Sequence, residues 1–269
     1  MTVRAVLFDL GDTLIFQAHA PDPKVLFPAM ADRVRPLLAA WNAAPAVDLA
    51  ALLHEVSLAV DAAQPGRRER GLEVDGAFIA RGALATYGIE LTEEQSKAFW
   101  HATDVGLIAW GAQTYPDTTD TLSKLFALGV PAALVSNSVA TSGMVRGSLA
   151  SFGIGEELLP VVVTSADVMR PKPRPEPFER ALEALGLAAA DALFVGDDLE
   201  ADIKGAKALG MTTVWKLNGR HDGPAAAEAD HSIHDLWELF TLGLLPEGAQ
   251  AAIRQESLMP HEDGNADRY

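Results

Sequence analysis

Apolar residues in this 269-residue chain gather into short runs that end abruptly in polar or small residues. Val3 to Leu10 runs into Gly11, Asp12 and Thr13; Val130 to Val135 ends at Ser136 and Asn137; Leu193 to Val195 ends at Gly196 and Asp197; Thr212 to Leu217 ends at Asn218. Short runs without polar alternation suit parallel strands covered on both faces. Between them the spacing turns helical: Thr118 to Leu128 stops at Gly129, Pro177 to Leu185 at Gly186, and Leu199 to Leu209 at Gly210. Glycine closes helices readily because it adopts the left-handed conformation without strain. A further helix from Ser142 to Ser151 leads to a β-branched strand, Val161 to Thr164. Strand and helix in alternation predict an α/β fold, a Rossmann-like doubly wound parallel sheet of about five core strands. Ala229 to His234 reads as a last edge strand, with Asp235 capping a helix from Leu236 to Leu242.

Residues 16–113 break this rhythm, with long Ala- and Leu-rich stretches at helical spacing and no comparable β-branched run. Helices are expected over Lys24 to Trp41, Leu49 to Ala63, Gly76 to Tyr87 and Thr92 to Trp110, the last opened by a capping box of Thr92 and Gln95. Trp41, Trp100 and Trp110, with Phe27, Phe78 and Phe99, are expected to pack among them. The predicted organisation is a core of residues 1–15 and 114–245, an all-helical cap of 16–113, and a C-terminal tail of 246–269 without catalytic residues.

Charge and composition remove several function classes. Lys and Arg number 21 against 37 Asp and Glu, a net charge of −16, which opposes binding to nucleic-acid backbones and anionic membrane surfaces. The absence of cysteine excludes a thiolate nucleophile, a disulfide framework and a cysteine zinc site. No apolar stretch approaches the roughly 18 residues that span a bilayer, and MTVRAVLFDL lacks signal-peptide character. A soluble cytoplasmic protein is the expectation.

Ligands in open parallel sheets bind beyond the carboxyl ends of the strands. Asp9, Ser136, Asn137, Asp197, Asp198 and Asp202 all follow strands there, and Lys172 follows the Val161 strand by a proline-rich loop. Each has a bland reading alone, since Asp caps turns and acids favour helix starts. Together, several carboxylates repel and raise one another's pKa unless a cation neutralises them. An all-oxygen donor set favours Mg2+, which commonly keeps waters and contacts one or two carboxylates plus a substrate phosphate. Lys172 offers a charge for phosphate or for orienting a carboxylate nucleophile, and Ser136 and Asn137 offer neutral donors.

D-L-G-D-T (Asp9 to Thr13), S-N (Ser136, Asn137), R-P-K-P (Arg170 to Pro173) and G-D-D-L-E-A-D (Gly196 to Asp202) occur in this order across nearly the whole core. The set resembles the haloacid dehalogenase-like hydrolase superfamily, in its phosphatase-type branch. The resemblance implies a Rossmann-like core with a helical cap after the first strand, and hydrolysis of a small phosphorylated metabolite. It implies that Asp9 attacks phosphorus to form an aspartyl phosphate while Mg2+ shields the charges. Thr13, Ser136, Asn137 and Lys172 would hold the phosphoryl group. Asp197 would lead the metal ligands, joined by Asp9, the Gly11 carbonyl, and Asp198 and Asp202 as direct, water-mediated or outer partners. A 2-haloacid dehalogenase, in which the same aspartate attacks carbon without a metal, gains nothing from the acids after Gly196.

One position departs from the family pattern, which carries a second aspartate two places after the nucleophile as general acid and base. Gly11 stands there. General acid–base help is worth roughly 10²- to 10⁴-fold, so poor leaving groups should suffer most. Asp12, His19 or a group on the substrate are the substitutes the sequence offers, and a phosphate-binding protein with impaired turnover is the alternative that Gly11 sustains.

Overall fold

Strand β1 (Ala5–Phe8) is buried at every residue, with Val6 and Phe8 facing one apolar cluster and Ala5 and Leu7 another. Such a strand satisfies its backbone only in the middle of a sheet, and it pairs in parallel with β4 (Ala132–Ser136) on one side and β6 (Ala192–Gly196) on the other. The computed structural model describes residues 2–43, 45–219 and 228–246, so most of the expected C-terminal tail lies outside the described residues. Strands β5 (Val161–Thr164), β7 (Thr212–Lys216) and β8 (His231–Ile233) complete a six-stranded parallel sheet ordered β5-β4-β1-β6-β7-β8. In order of appearance this is 3-2-1-4-5-6, the doubly wound arrangement whose strand order reverses at β1.

Helices α5 (Thr118–Ala127), α6 (Ser142–Ser151), α7 (Ser165–Val168), α8 (Glu176–Leu185) and α9 (Gly205–Ala208) connect these strands. The sheet thus gains the expected edge strand β8 as a sixth member. Asp235 caps the following segment by accepting from the Glu238 amide, although that segment, Leu236–Thr241, winds as a 3-10 helix.

Four helices, α1 (Pro23–Ala40), α2 (Leu49–Arg70), α3 (Gly76–Ala85) and α4 (Glu93–Ala102), follow the first strand and form a cap with its own apolar cluster, including Leu26, Val34, Leu52, Leu84 and Phe99. The Thr92–Gln95 capping box forms with both reciprocal hydrogen bonds. Three expectations needed correction. Helix α4 stops at Ala102 instead of Trp110, because Asp104 accepts from the Gly106 amide and Gly106 takes the left-handed φ of 81°. Phe78 is 63 % exposed and does not pack, whereas Phe27 and Phe99 are buried. The block is also closed by a β-ribbon that the pattern did not reveal, β2 (Ile15–Gln17) against β3 (Ala112–Thr114), antiparallel. This ribbon ties the two chain crossings between core and cap.

Candidate active site

Asp9 is the first residue after β1, and its amide still donates to the Val195 carbonyl of β6 at 2.9 Å. That bond fixes it at the reversal of strand order, where Ser136 ends β4 and Asp197 follows β6. Asp202 reaches the same point by a different device. The expected helix from Leu199 begins as a π-helical segment, Leu199–Lys204, before α9, and its wide turn leaves Asp202 only 1 % exposed. Gly196 is required for this approach: a Cβ there would lie 2.3–2.5 Å from three Asp202 side-chain atoms.

Lys172 enters from the loop after α7. Its backbone is held at both polar groups by one side chain, since the Lys172 amide donates to Asn137 Oδ1 at 2.7 Å and Asn137 Nδ2 donates to the Lys172 carbonyl at 3.1 Å. So aligned, Lys172 Nζ lies 2.6 Å from Asp9 Oδ1, 2.6 Å from Asp202 Oδ1 and 2.7 Å from the Val135 carbonyl, with 1 % of the side chain exposed. Burial opposes its charge, but the Asp202 and Asp9 carboxylates outweigh burial and hold the ammonium above its ordinary value. Burial likewise pushes the Asp9 carboxyl up to about 7; Lys172 opposes that rise and Asp202 adds to it.

Asp9, Asp197 and Asp202 present oxygens that all lie within 4.8 Å of one another. Three carboxylates gathered this closely beside Lys172 repel one another, and a divalent cation among them would offset that repulsion. The donors are oxygens alone, as Mg2+ prefers. The residues therefore fit the ion. Asp198 lines the crevice but stands outside this trio, because its Oδ1 accepts from the amides of Glu200 and Ala201 and caps the segment behind it.

The crevice, about 310 Å³, is lined by Asp9, Gly11, Ser136, Asn137, Lys172, Asp197, Asp198 and Asp202, eight of the ten residues anticipated from sequence. Asp12 and Thr13 do not line it. Asp12 is exposed in the left-handed region at φ 54°, and its carbonyl accepts from Asn218 Nδ2 at 2.6 Å. Thr13 is fully buried, and its hydroxyl has no partner among the described residues. His19 lies exposed outside the lining. Gly11 is exposed, and a Cβ built on it meets nothing within 4 Å.

Two contributors escaped sequence reasoning. Trp215 donates from Nε1 to the Asp197 carbonyl at 2.9 Å. Lys216, 1 % exposed, places Nζ 3.1 Å from the Thr13 carbonyl, 3.4 Å from that of Asp12 and 3.1 Å from the Tyr115 ring centre. A charged residue closing an apolar strand was the only signal for Lys216.

A 3-2-1-4-5-6 sheet with carboxylates at its reversal and a helical block inserted after the first strand defines a Rossmann-like α/β protein with a cap. The family model for haloacid dehalogenase-like hydrolases matches residues 3–210, and the chain belongs to that family. It is 28 % identical over 239 residues to a phosphoglycolate phosphatase of Rhodospirillum rubrum, covering 86 % of this chain and 87 % of the relative. It is 36 % identical over 135 residues to a ribulose-1,5-bisphosphate 5-phosphatase of Halopiger xanaduensis, covering 47 % of this chain and 55 % of that protein. The chain thus spans only about half the length of that relative. Among solved structures, a HAD phosphatase from Thermococcus onnurineus shares 26 % identity at a TM-score of 0.50, covering 91 % of this chain and 99 % of the other. A 2-haloacid dehalogenase from Pseudomonas syringae reaches a TM-score of 0.56 at 22 % identity, covering 94 % and 100 %, a likeness of fold. No described helix is long and apolar enough to cross a membrane.

Proposed function

We propose that the chain is a Mg2+-dependent phosphohydrolase acting on a small phosphorylated metabolite through an aspartyl phosphate on Asp9. The observation that carries this reading is the convergence of Asp9, Asp197 and Asp202 around Lys172 at the reversal of the sheet. A metal-free attack on carbon has no use for three carboxylates gathered at one point, which disfavours the dehalogenase alternative. The names of the relatives, phosphatases of phosphoglycolate and of ribulose 1,5-bisphosphate, point the same way.

In this mechanism Asp9 forms a bond from a carboxylate oxygen to phosphorus as the bond to the leaving oxygen breaks, and water then cleaves the acyl phosphate. Lys172 keeps Asp9 oriented and offsets part of the charge gathered on the transferring group. Asn137 acts through Lys172 by clamping its backbone. Bound Mg2+ would supply charge neutralisation at the phosphoryl oxygens, held by Asp9, Asp197 and Asp202 with the Gly11 carbonyl as a further donor. The leaving oxygen must gain a proton, and Gly11 provides no acid for it. Good leaving groups are therefore favoured. Gly11 also motivates the second reading, a phosphate-ligand-binding protein with impaired turnover.

Turnover of an activated aryl phosphate, measured with Mg2+ and with chelator, tests the proposal. Mg2+-dependent release of phosphate is the expected result; Mg2+ and phosphate binding without turnover of this or any ester in a broad panel selects the binding reading instead.

A further inference from the structure

Beside the crevice, cap and core enclose a second cavity of about 300 Å³, and Leu10, Leu107 and Ser138 line both. Its walls are mainly apolar: Met30 of α1, Leu53 and Val60 of α2, Trp100 and Trp110 from the end of the cap, and Met144 of α6. A volume of this size with mostly apolar walls is typical of small-ligand sites. The charged groups that line it are two carboxylates, Asp61 and Asp104, and among the described residues no Lys, Arg or His does so.

The cavity is held across the join between cap and core. Trp100 donates from Nε1 to the Val139 carbonyl at 3.3 Å, and the Leu107 amide donates to Ser148 Oγ at 3.2 Å. Gly76 makes the room for the Trp100 ring, since a Cβ there would come within 2.3 Å of it.

We infer that this cavity receives the organic half of the substrate, and that this half is an uncharged, largely apolar group such as an aromatic ring. The inference deepens the phosphatase reading and rests on it. Leu10 directly follows Asp9, so a group attached to a phosphoryl centre at Asp9 passes from crevice to cavity along shared walls. An aromatic group would lie against Trp100 and Trp110 and lose apolar surface to the protein. A carboxylate taking the same path would give up hydration with no cation to pair with, and would face Asp61 and Asp104.

Benzyl phosphate and phosphoglycolate test this, because both release a poorly acidic alcohol and differ mainly in ring against carboxylate. Their phosphonate analogues, benzylphosphonate and a carboxylated phosphonate of similar length, report binding by calorimetry on the full chain with Mg2+, independently of turnover. The expected result is a preference of about tenfold or more for the benzyl compounds in Kd and in kcat/KM, the least that one methylene is worth in an apolar pocket. Ser57 is a half-buried wall residue of α2, and Ser57→Arg is expected to narrow or reverse that preference by supplying the missing cation. Equal or tighter binding of the carboxylated phosphonate, binding of neither, or a ratio unchanged in a folded Ser57→Arg variant overturns the inference. A retained binding preference with no turnover of either ester or of an activated aryl phosphate upholds the cavity assignment and contradicts the phosphatase reading.

Discussion

Lys172 Nζ and Asp9 Oδ1 stand 2.6 Å apart in a site that water barely reaches, and the ammonium makes a second contact of the same length to Asp202. Removing one partner of a buried ion pair leaves an uncompensated charge, at a cost of about 3–5 kcal/mol. Lys172→Met should therefore lower the unfolding free energy by that order in a denaturant titration at neutral pH with chelator present. Part of the loss should return with Mg2+, because a ligand that binds only the folded state stabilises it. An unchanged denaturation midpoint would remove the pair from the account.

Gly11 is a missing group rather than an excluded one. Nothing lies within 4 Å of a Cβ there, and the position opens on the crevice. Gly11→Asp should keep the fold and raise kcat for alkyl phosphates, by up to about 10²-fold at the low end of general acid help. Activated aryl phosphates, which need little protonation, should gain far less. A uniform gain across both classes would show that the new carboxylate acts by another route.

Gly196→Ala probes Asp202 without touching a carboxylate. The added methyl would fall 2.5 Å or less from Asp202 Cβ and Oδ2, so that side chain must move away from Lys172. We expect weaker Mg2+ binding by calorimetry and a substantial loss of kcat with the secondary structure intact. Retention of both would mean that the π-helical segment has the freedom to shift as a unit.

The buried Lys216 should leave a signature in pH-dependent stability. Burial pushes its ammonium down to about 8 from 10.5, against the pull of Asp117, Asp197, Asp12 and Asp235. A folded value below the unfolded one means that the fold favours neutral Lys216. Its contribution is fully present above 10.5 and is lost as pH falls through about 8. The stability of the native protein relative to Lys216→Met should accordingly rise between these pH values in parallel urea titrations. A difference that stays flat across the window would contradict the buried placement.

Much of this architecture was legible because burial on both faces writes a simple pattern. Ala5–Phe8 and Ala132–Ser136 have no polar alternation, and the residues that end or follow such strands carry the chemistry. Asp197, Asp198 and Asp202 could not be ranked from spacing, since the π-helical turn that buries Asp202 and the capping bonds that occupy Asp198 are local geometry. The β2–β3 ribbon escaped notice because three residues a side leave no periodicity to read. Lys216 escaped because its partners, the carbonyls of Asp12 and Thr13, are more than 200 positions away and have no side-chain signature. The apolar cavity joins residues from α1, α2, α6 and the β1 loop, an assembly that exists only once cap and core meet.

The role of Asp9 is tested most directly by acid-quenching the protein during turnover of an activated aryl phosphate with Mg2+ and weighing the peptide that contains it. The account predicts one added phosphoryl group on Asp9, present in the native chain and absent, together with turnover, in a folded Asp9→Asn variant. Turnover by Asp9→Asn at the native rate, or phosphate release with no modified Asp9 peptide at any quench time, would contradict it.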